Sequence, residues 1–570
     1  MEDIYPLTPM QKLMLLHTLS SPDSDVLIDQ FRCTLCGSMN IPAFQAAWHR
    51  VVRRHTIFRT LFLWEGLHEP VQVVRQEATL PWEFYDLRGM PESDQETIVS
   101  RSQQERQNQG FILTQAPLMQ VTLFQLSDHR FELIWTFHHL IADGWCHSLV
   151  LQEVFQSYGA SARGVALDET PTVPYLSYIA WLQQRDHEEA RAFWREYLAG
   201  FTEPTLAIPN SQIRMRNTAG FREYQTALTP EDTQQIGRST RGHQVTLTCL
   251  LQAAWSLVLA RHTQKNDIVS GSTVSGRPLD LPGVESMIGM LINNIPIRVR
   301  VDGDRPVGMW LREQQQKQLE MREYEYMPLG DILQCSTIKR GSPLFESLVV
   351  VENYPVGQLA QQQDAGFRIE NIRDNLKTGY PITIVAIPGT ELQFRVLYHE
   401  ELFSVPDIRQ LAEDLLTMLR TLAKGEAETV GEAIACIPAR SELLRFPFPA
   451  TEPKALPAFR LSPSTDTERT IEAVLGEYLQ LDAIACDEHF FDLGCTSLLL
   501  VEIHARLQKE LSRTFPLVDM FTYPTIEALA RHLTPASMAE KPSKVASASN
   551  RGQMQREAMN RQRQLMLKKK

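Results

Sequence analysis

Between Ile41 and His55 apolar side chains return at three- and four-residue steps, through Phe44, Trp48 and Val51 or Val52 to His55, and predict a helix with one apolar face. Leu118 to Leu126 and Phe131 to His139 alternate instead with a period of two, and the polar Ser127-Asp-His-Arg130 between them reads as a hairpin. Phe131, Leu133, Trp135, Phe137 and His139 then share one face of the second strand, and His138 takes the other. Beyond Asp143-Gly144 the spacing of Val150, Val154 and Tyr158, with Leu151 and Phe155 beside them, returns to a helix. Such patterns alternate from Met1 to about Arg440, which predicts a layered α/β or α+β fold.

The periodicity then stops. Pro438, Pro447, Pro449, Pro453, Pro457 and Pro463 mark an extended linker, placed at 441–465. A stripe of Ile471, Val474, Leu475, Tyr478 and Leu479 follows; a second helix opens at Ser497 and runs to about Leu507, and Pro524 precedes a third from Thr525 to Leu533. Residues 466–535 suffice for a small helical bundle. Residues 536–570, rich in Ala, Ser, Gln, Met and Lys, predict disorder or a helix formed only against a partner.

At 570 residues and 43% hydrophobic content, the chain exceeds one ordinary core and predicts three or four folded units. No apolar stretch approaches the roughly 20 residues of a membrane helix, and Met1-Glu-Asp-Ile-Tyr5 lacks a basic-then-apolar leader, so the cytoplasm is the expected compartment and no membrane partner is expected. The net charge is −12, although Lys541, Lys544, Arg551, Arg556, Arg561, Arg563 and Lys568 to Lys570 make the tail basic. So acidic a body argues against a nucleic-acid groove, while the tail suits an acidic partner. Eight scattered cysteines form no disulfide framework. Cys33 and Cys36 have the Cys-x-x-Cys spacing, but without a second pair or a nearby histidine they read as ordinary thiols, and no metal site is expected.

Two runs carry candidate chemistry. His138-His-Leu-Ile-Ala-Asp-Gly144 sits on a strand-to-helix turn, where side chains and backbone N–H groups converge on a cavity. Imidazole titrates near neutrality and suits general-base work beside a conformationally special Asp-Gly turn, while Asp143 equally suits holding geometry. Ser497, within Phe491-Asp-Leu-Gly-Cys-Thr-Ser-Leu-Leu-Leu500, projects from a helix N-terminus, where exposed N–H groups favour a phosphate. An N-capping serine is the bland alternative, made less attractive by the small bundle and the linker before it.

With these runs in view, residues 1 to 440 resemble a condensation domain of nonribosomal peptide synthetases, and residues 466–535 resemble a peptidyl carrier domain. The runs follow the family's order: Tyr5-Pro-Leu-Thr-Pro-Met-Gln11, Arg54-His-Thr-Ile-Phe-Arg-Thr60, His138 to Gly144, Tyr175-Leu-Ser-Tyr-Ile-Ala-Trp181, Ser275-Gly-Arg-Pro278, Ile288-Gly-Met-Leu-Ile-Asn-Asn294 and Ser342-Pro-Leu-Phe345. The resemblance implies two chloramphenicol-acetyltransferase-like lobes, 1–175 and 176–440, around a tunnel entered from opposite sides by two carrier-bound substrates, followed by a small all-α four-helix bundle. It implies that His139 acts at the attacking amine, that Asp143 is structural and pairs with Arg277, that Gly144 lends backbone approach near the developing oxyanion, and that His138 supports the loop. It implies, too, that Ser497 receives a phosphopantetheine arm from a separate phosphopantetheinyl transferase. Cys495-Thr496 departs from the Gly-His or Gly-Asp often found before this serine, and Cys495 reads as a packing residue.

Between the condensation and carrier units the usual adenylation domain is missing, and the linker is too short to hide one. The carrier is therefore expected to be loaded in trans by an adenylation or other loading enzyme, the donor to arrive on an upstream carrier of another chain, and the basic tail to dock a downstream synthetase. The expected reaction is thioester-to-amide transfer, with an ester if the acceptor is an alcohol. The runs Asp3 to Gln11 and Asp143-Gly-Trp-Cys146 lean towards members accepting donors that end in a D-residue. The rivals are an epimerisation unit, which normally follows its carrier, an acyltransferase using a diffusible thioester, and a non-catalytic docking unit.

Overall fold

The computed structural model describes residues 1–20, 24–65, 67, 69–165, 171–205, 220–338, 342–352, 367–374, 377–438, 463–479, 481, 484–490, 493, 495 and 497–534. Most of the linker expected at 441–465, and the tail expected at 536–570, lie outside the described residues. The strands described are β1 (Asp3–Pro6), β2 (Ile28–Gly37), β3 (Thr60–Leu63), β4 (Val71–Val74), β5 (Trp82–Asp86), β6 (Met119–Ser127), β7 (Arg130–His138), β8 (Phe221–Ala227), β9 (Asp267–Val274), β10 (Asn293–Arg300), β11 (Ser347–Val351), β12 (Phe367–Asp374), β13 (Ile382–Ile387) and β14 (Gln393–His399). They form a sheet β12-β2-β7-β6-β5, a sheet β10-β9-β11-β13-β14-β8 and a small ribbon β1-β4-β3.

Strand β7 lies at the centre of the first sheet, and every residue from Phe131 to His138 is buried. The predicted alternation shows in what each face meets. Phe131, Leu133, Trp135 and Phe137 enter the main core, whereas Ile134 turns to Phe124 and Val99 on the opposite side. Helices cover both faces at the centre of this sheet, and solvent reaches its edge strands β5 and β12.

Helix α1 (Pro9–Ser20) starts with a reciprocal capping box: Gln11 N donates to Thr8 Oγ1 at 3.1 Å and Thr8 N donates to Gln11 Oε1 at 2.9 Å. Pro9 at the first helical position costs no intrahelical bond. Helix α2 (Ile41–Arg54) is capped by the Asn40 side chain and buries Phe44, Ala47, Trp48, Val51 and Val52. His55, predicted within this helix, is instead its C-cap, and its Nε2 lies 3.0 Å from Glu153. Helix α3 (Glu92–Gln109) brings Val99 to the far face of the sheet; α4 (Trp145–Arg163) packs beside α2 on the near face.

In sequence β12 falls within the strands of the second sheet, yet it pairs with β2 of the first. Phe367 at its start packs edge-on to Phe44 and Phe155. Val284, Met287, Ile288, Met290 and Leu291 also enter the first core, as do Tyr175, Tyr178 and Ile179 of α5 (Tyr175–Gln183). The lobes are thus interlocked by segments that cross from the second into the first. Behind the second sheet the helix Leu247–Thr263 is buried at nearly every residue, as an all-round apolar helix must be. Among the described residues no single helix is long and apolar enough to cross a membrane.

The C-terminal unit is a small all-α bundle of Asp466–Leu479, Ser497–Glu510, Asp519–Thr522 and Ile526–Leu533. Ile471, Leu475, Leu500, Ile503, Leu507 and Leu529 form its core. Cys495 is buried in the same core.

Candidate active site

The chain leaves β7 at His138 and turns through six residues into α4. Two adjacent histidines are fixed there in opposite tautomers. His138 Nδ1 accepts the Leu140 N–H at 3.1 Å, so its Nε2 carries the proton and donates to Thr18 Oγ1, 3.1 Å away on α1. Thr18 Oγ1 in turn donates a hydrogen bond to Met14 O at 3.0 Å. Burial holds the His138 imidazole down to about 3, with His139 and His17 adding unfavourable positive charge, and the ring is neutral at physiological pH. His139 Nδ1 lies 2.8 Å from Ala142 O, a group that can only accept, so in the neutral ring Nδ1 is the donor and Nε2 keeps the lone pair.

Asp143 is fully buried and receives a two-pronged contact from Arg277, Nη1 to Oδ2 at 3.2 Å and Nη2 to Oδ1 at 3.3 Å. Leu291 N donates to Oδ2 at 3.1 Å and Cys146 Sγ to Oδ1 at 3.2 Å. Burial alone pushes this carboxyl up, but the Arg277 charge and the hydrogen bonds leave it below the usual range. Runs far apart in sequence close on this group. Tyr175 Oη donates to Met290 O at 2.6 Å. Gly276 has φ +60°, and a side chain there would strike Leu291 O; one at Gly289 would strike the Tyr175 ring. Those close approaches explain two of the glycines in the runs singled out from the sequence.

Gly144 departs from its expectation. Its φ of −59° and ψ of −28° are ordinary helical values, so the Asp-Gly turn is not conformationally special. Here glycine keeps the wall of a cavity clear at the N-terminus of α4. That cavity lies between the lobes and is lined by Met10, Met14, Asp29, His139, Gly144 and His147 from the first lobe. Thr273, Asn294, Leu348, Val350 and Tyr380 close it from the second. The geometry therefore brings His139 and Gly144 to the cavity and puts His138, Asp143 and Arg277 in the frame behind it.

Sequence reasoning missed Thr18, Asp29 and His147. At a period of two Asp29 shares the face of Phe31, Cys33 and Leu35 in β2, and an acid on that otherwise apolar face was the available signal, since charges are rarely buried without a reason.

Ser497 is the first residue of the helix Ser497–Glu510, where backbone N–H groups lack helical acceptors. This position fits a phosphodiester. The bundle rests on α1: Leu16 is buried in the carrier core, with Leu19 and Trp64 packed against it. One helix is thus a shared wall. Its Met10 and Met14 line the cavity, its Thr18 holds His138, and its Leu16 meets the carrier.

A family model described as a condensation domain matches residues 1–443, and one described as a phosphopantetheine attachment site matches residues 469–533. The chain belongs to the condensation-domain family and carries a phosphopantetheine attachment site behind that domain. Over 423 residues it is 39% identical to a linear gramicidin synthase protein of Brevibacillus parabrevis, covering 74% of this chain and 5% of that protein. Over 445 residues it is 33% identical to tyrocidine synthase 2 of the same organism, covering 77% and 12%. The chain therefore spans only a small part of the length of these relatives. Among solved structures, the starter condensation domain of rhizomide synthetase superposes with a TM-score of 0.63 at 17% identity, covering 77% of this chain and 100% of that one. The first condensation domain of the calcium-dependent antibiotic synthetase gives a TM-score of 0.62 at 18% identity, covering 76% and 98%. At such identities the likeness concerns the fold, two-lobed and mixed α/β as the resemblance implied.

Proposed function

We propose that this chain forms an amide bond between a thioester-bound acyl or peptidyl donor and an amine acceptor. One observation carries the reading: His139 has its Nδ1 proton committed to Ala142 O, which leaves the Nε2 lone pair as the basic atom of a residue lining the cavity between the lobes. The amine nitrogen attacks the thioester carbonyl carbon, a C–N bond forms and the C–S bond breaks. Nε2 receives the amine proton, or orients the amine, and the proton ends on the departing sulfur. Gly144, at the N-terminus of the long helix α4, places backbone N–H groups and the positive end of the helix dipole beside the carbonyl oxygen as it gains charge. Asp143 and Arg277 hold the turn and touch neither substrate. His138 is neutral and props the loop through Thr18.

Ser497, with the helix N-terminus behind it, would hold the phosphopantetheine, whose thiol carries an acyl or aminoacyl group as a thioester. Contact with α1 supports delivery of the acceptor to this chain's own cavity, with the donor arriving on a separate upstream carrier. Loading in trans fits an attachment site that lies directly behind the condensation domain. Partners are then a phosphopantetheinyl transferase, an adenylation or other loading enzyme and the upstream carrier; the basic tail is proposed to dock a downstream synthetase. Eight free cysteines support work in a reducing compartment, the cytoplasm.

The test has two stages. Intact mass after incubation with a promiscuous phosphopantetheinyl transferase and coenzyme A should show one pantetheinyl increment in the native chain and none in Ser497→Ala. Charging from aminoacyl-coenzyme A in place of coenzyme A, followed by acyl N-acetylcysteamine thioesters as donors, should give amide in the native chain. In His139→Ala the rate should fall by roughly 10²–10⁴-fold. Equal product in Ser497→Ala with a free amine acceptor would favour the acyltransferase that uses diffusible substrates.

A further inference from the structure

Asp29 sits in β2 with only 7% of its surface exposed, a costly place for a carboxyl group. Register puts it there. Ile28 pairs with His138 and Asp29 with Phe137, and His139 N continues the ladder by donating to Leu27 O at 2.9 Å. The outcome is an Asp29 Oδ2 that lies 3.7 Å from His139 Nδ1, with both residues lining the cavity between the lobes. That distance is too long for a hydrogen bond, and Nδ1 already has Ala142 O at 2.8 Å, so Asp29 is not what selects the tautomer. It is well within range for a charge to act on a charge.

We propose that Asp29 is a positioning residue of the reaction, its carboxylate standing behind His139 as the counter-charge to the imidazolium that forms when Nε2 takes the amine proton. This deepens the amide-forming reading and rests on it. In the step, nitrogen loses its proton to Nε2, sulfur leaves with the C–S electron pair and then takes that proton, and Asp29 stays ionised without exchanging one.

The surroundings single out this carboxylate. His147 on α4, Asp374 at the end of β12 and Lys377 beyond it also face Asp29. Asp374 is bound to Arg395 and Lys377 to Asp25, so each of those charges is already answered. Glu352 lines the same cavity at the end of β11, and His138 and His147 add their rings next to His139. Among the described residues Asp29 is the acid within ion-pair distance of His139. Burial is the largest influence and leaves the Asp29 carboxyl raised, although His139, His147 and Lys377 favour its ionised form and Asp374 opposes them.

The experiment needs no substrate, which separates its failure from failure of the amide-forming reading. The full chain carrying ¹⁵N-histidine is titrated from pH 5 to 9 by long-range ¹H–¹⁵N correlation, with His139→Gln to assign the ring. Asp29→Asn should lower the pH at which His139 titrates by about one unit, a roughly tenfold loss of proton affinity, and Asp29→Glu should restore at least half of it. In every variant Nε2 should remain the unprotonated nitrogen above that pH, because Ala142 O still holds Nδ1. Should Asp29→Asn fail to fold, Asp29→Ser reads the same shift. A titration within about 0.2 unit of the native chain in a folded neutral variant, or a swap of tautomer, overturns the proposal.

Discussion

The turn from His138 to Gly144 and the seat of the carrier bundle are held in opposite ways. In the turn each side chain that matters is tied by directional bonds, His138 to Thr18 and Asp143 to Arg277 and Leu291 from distant segments, and His139 to Ala142 and Asp143 to Cys146 close by in the chain. The carrier meets the reaction unit through an apolar contact built on Leu16, with Leu19 and Trp64 beside it. Hydrogen bonds and buried charge fix atoms to within a fraction of an ångström, which proton transfer requires. An apolar contact is non-directional and tolerates repeated release, which suits the departure and return that the proposed loading in trans requires.

The largest expected break in this comparison is Arg277→Ala. It strands Asp143 as a buried, unanswered carboxylate and should lower the unfolding free energy of the reaction unit by about 3–5 kcal/mol. Urea unfolding followed by tryptophan fluorescence measures it, and a loss under 1 kcal/mol would mean that the turn does not depend on this pair. Asp143→Asn with Arg277→Met removes both charges and should recover much of the loss.

Acid acts next on the same turn. His138 is held neutral, down to about 3 from an ordinary 6.5, so between those values the unfolded chain binds more protons than the folded one. Stability therefore rises with pH across that window and drains away on acidification, by roughly a few kcal/mol from this residue. Between pH 7 and 5 the urea midpoint of the native chain should fall further than that of His138→Gln; parallel falls would remove His138 as the cause.

The carrier seat should answer most weakly. Leu16→Asp loses one buried leucine contact, worth roughly 1.5–3 kcal/mol when complete. Because the linker keeps the bundle close, amide formation from the charged chain should drop by only about tenfold. Pantetheinyl transfer to Ser497 by the separate transferase should be unchanged in the mass assay. A turnover equal to the native chain's would show that this contact is not the one used in the reaction.

Much of this arrangement was legible along the chain. The period of two from Phe131 to His139 put the two histidines on opposite sides of their strand, and in the structure one lines the cavity while the other is locked into the frame. The helices at 41–54 and 145–163 followed from the spacing of Phe44, Trp48, Val150 and Val154, because a buried helical face must repeat as the helix does. The serine at the head of a helix followed from the change of pattern after Cys495. The Asp-Gly turn was misjudged as conformationally special, since at Gly144 the backbone stays in the ordinary right-handed helical region.

Local order along the chain, then, determined the element types, the parity of His138 and His139, the split into a large layered unit and a small helical one, and the runs that mark the family. Only the tertiary structure decided that β12 leaves its own lobe to extend the first sheet, that Asp29 comes to stand behind His139, and that α1 serves cavity and carrier at once. Periodicity reports which face of an element is buried, because that depends on near neighbours in the chain. Which partner meets that face depends on register and crossing between residues hundreds of positions apart, and no local pattern encodes that choice.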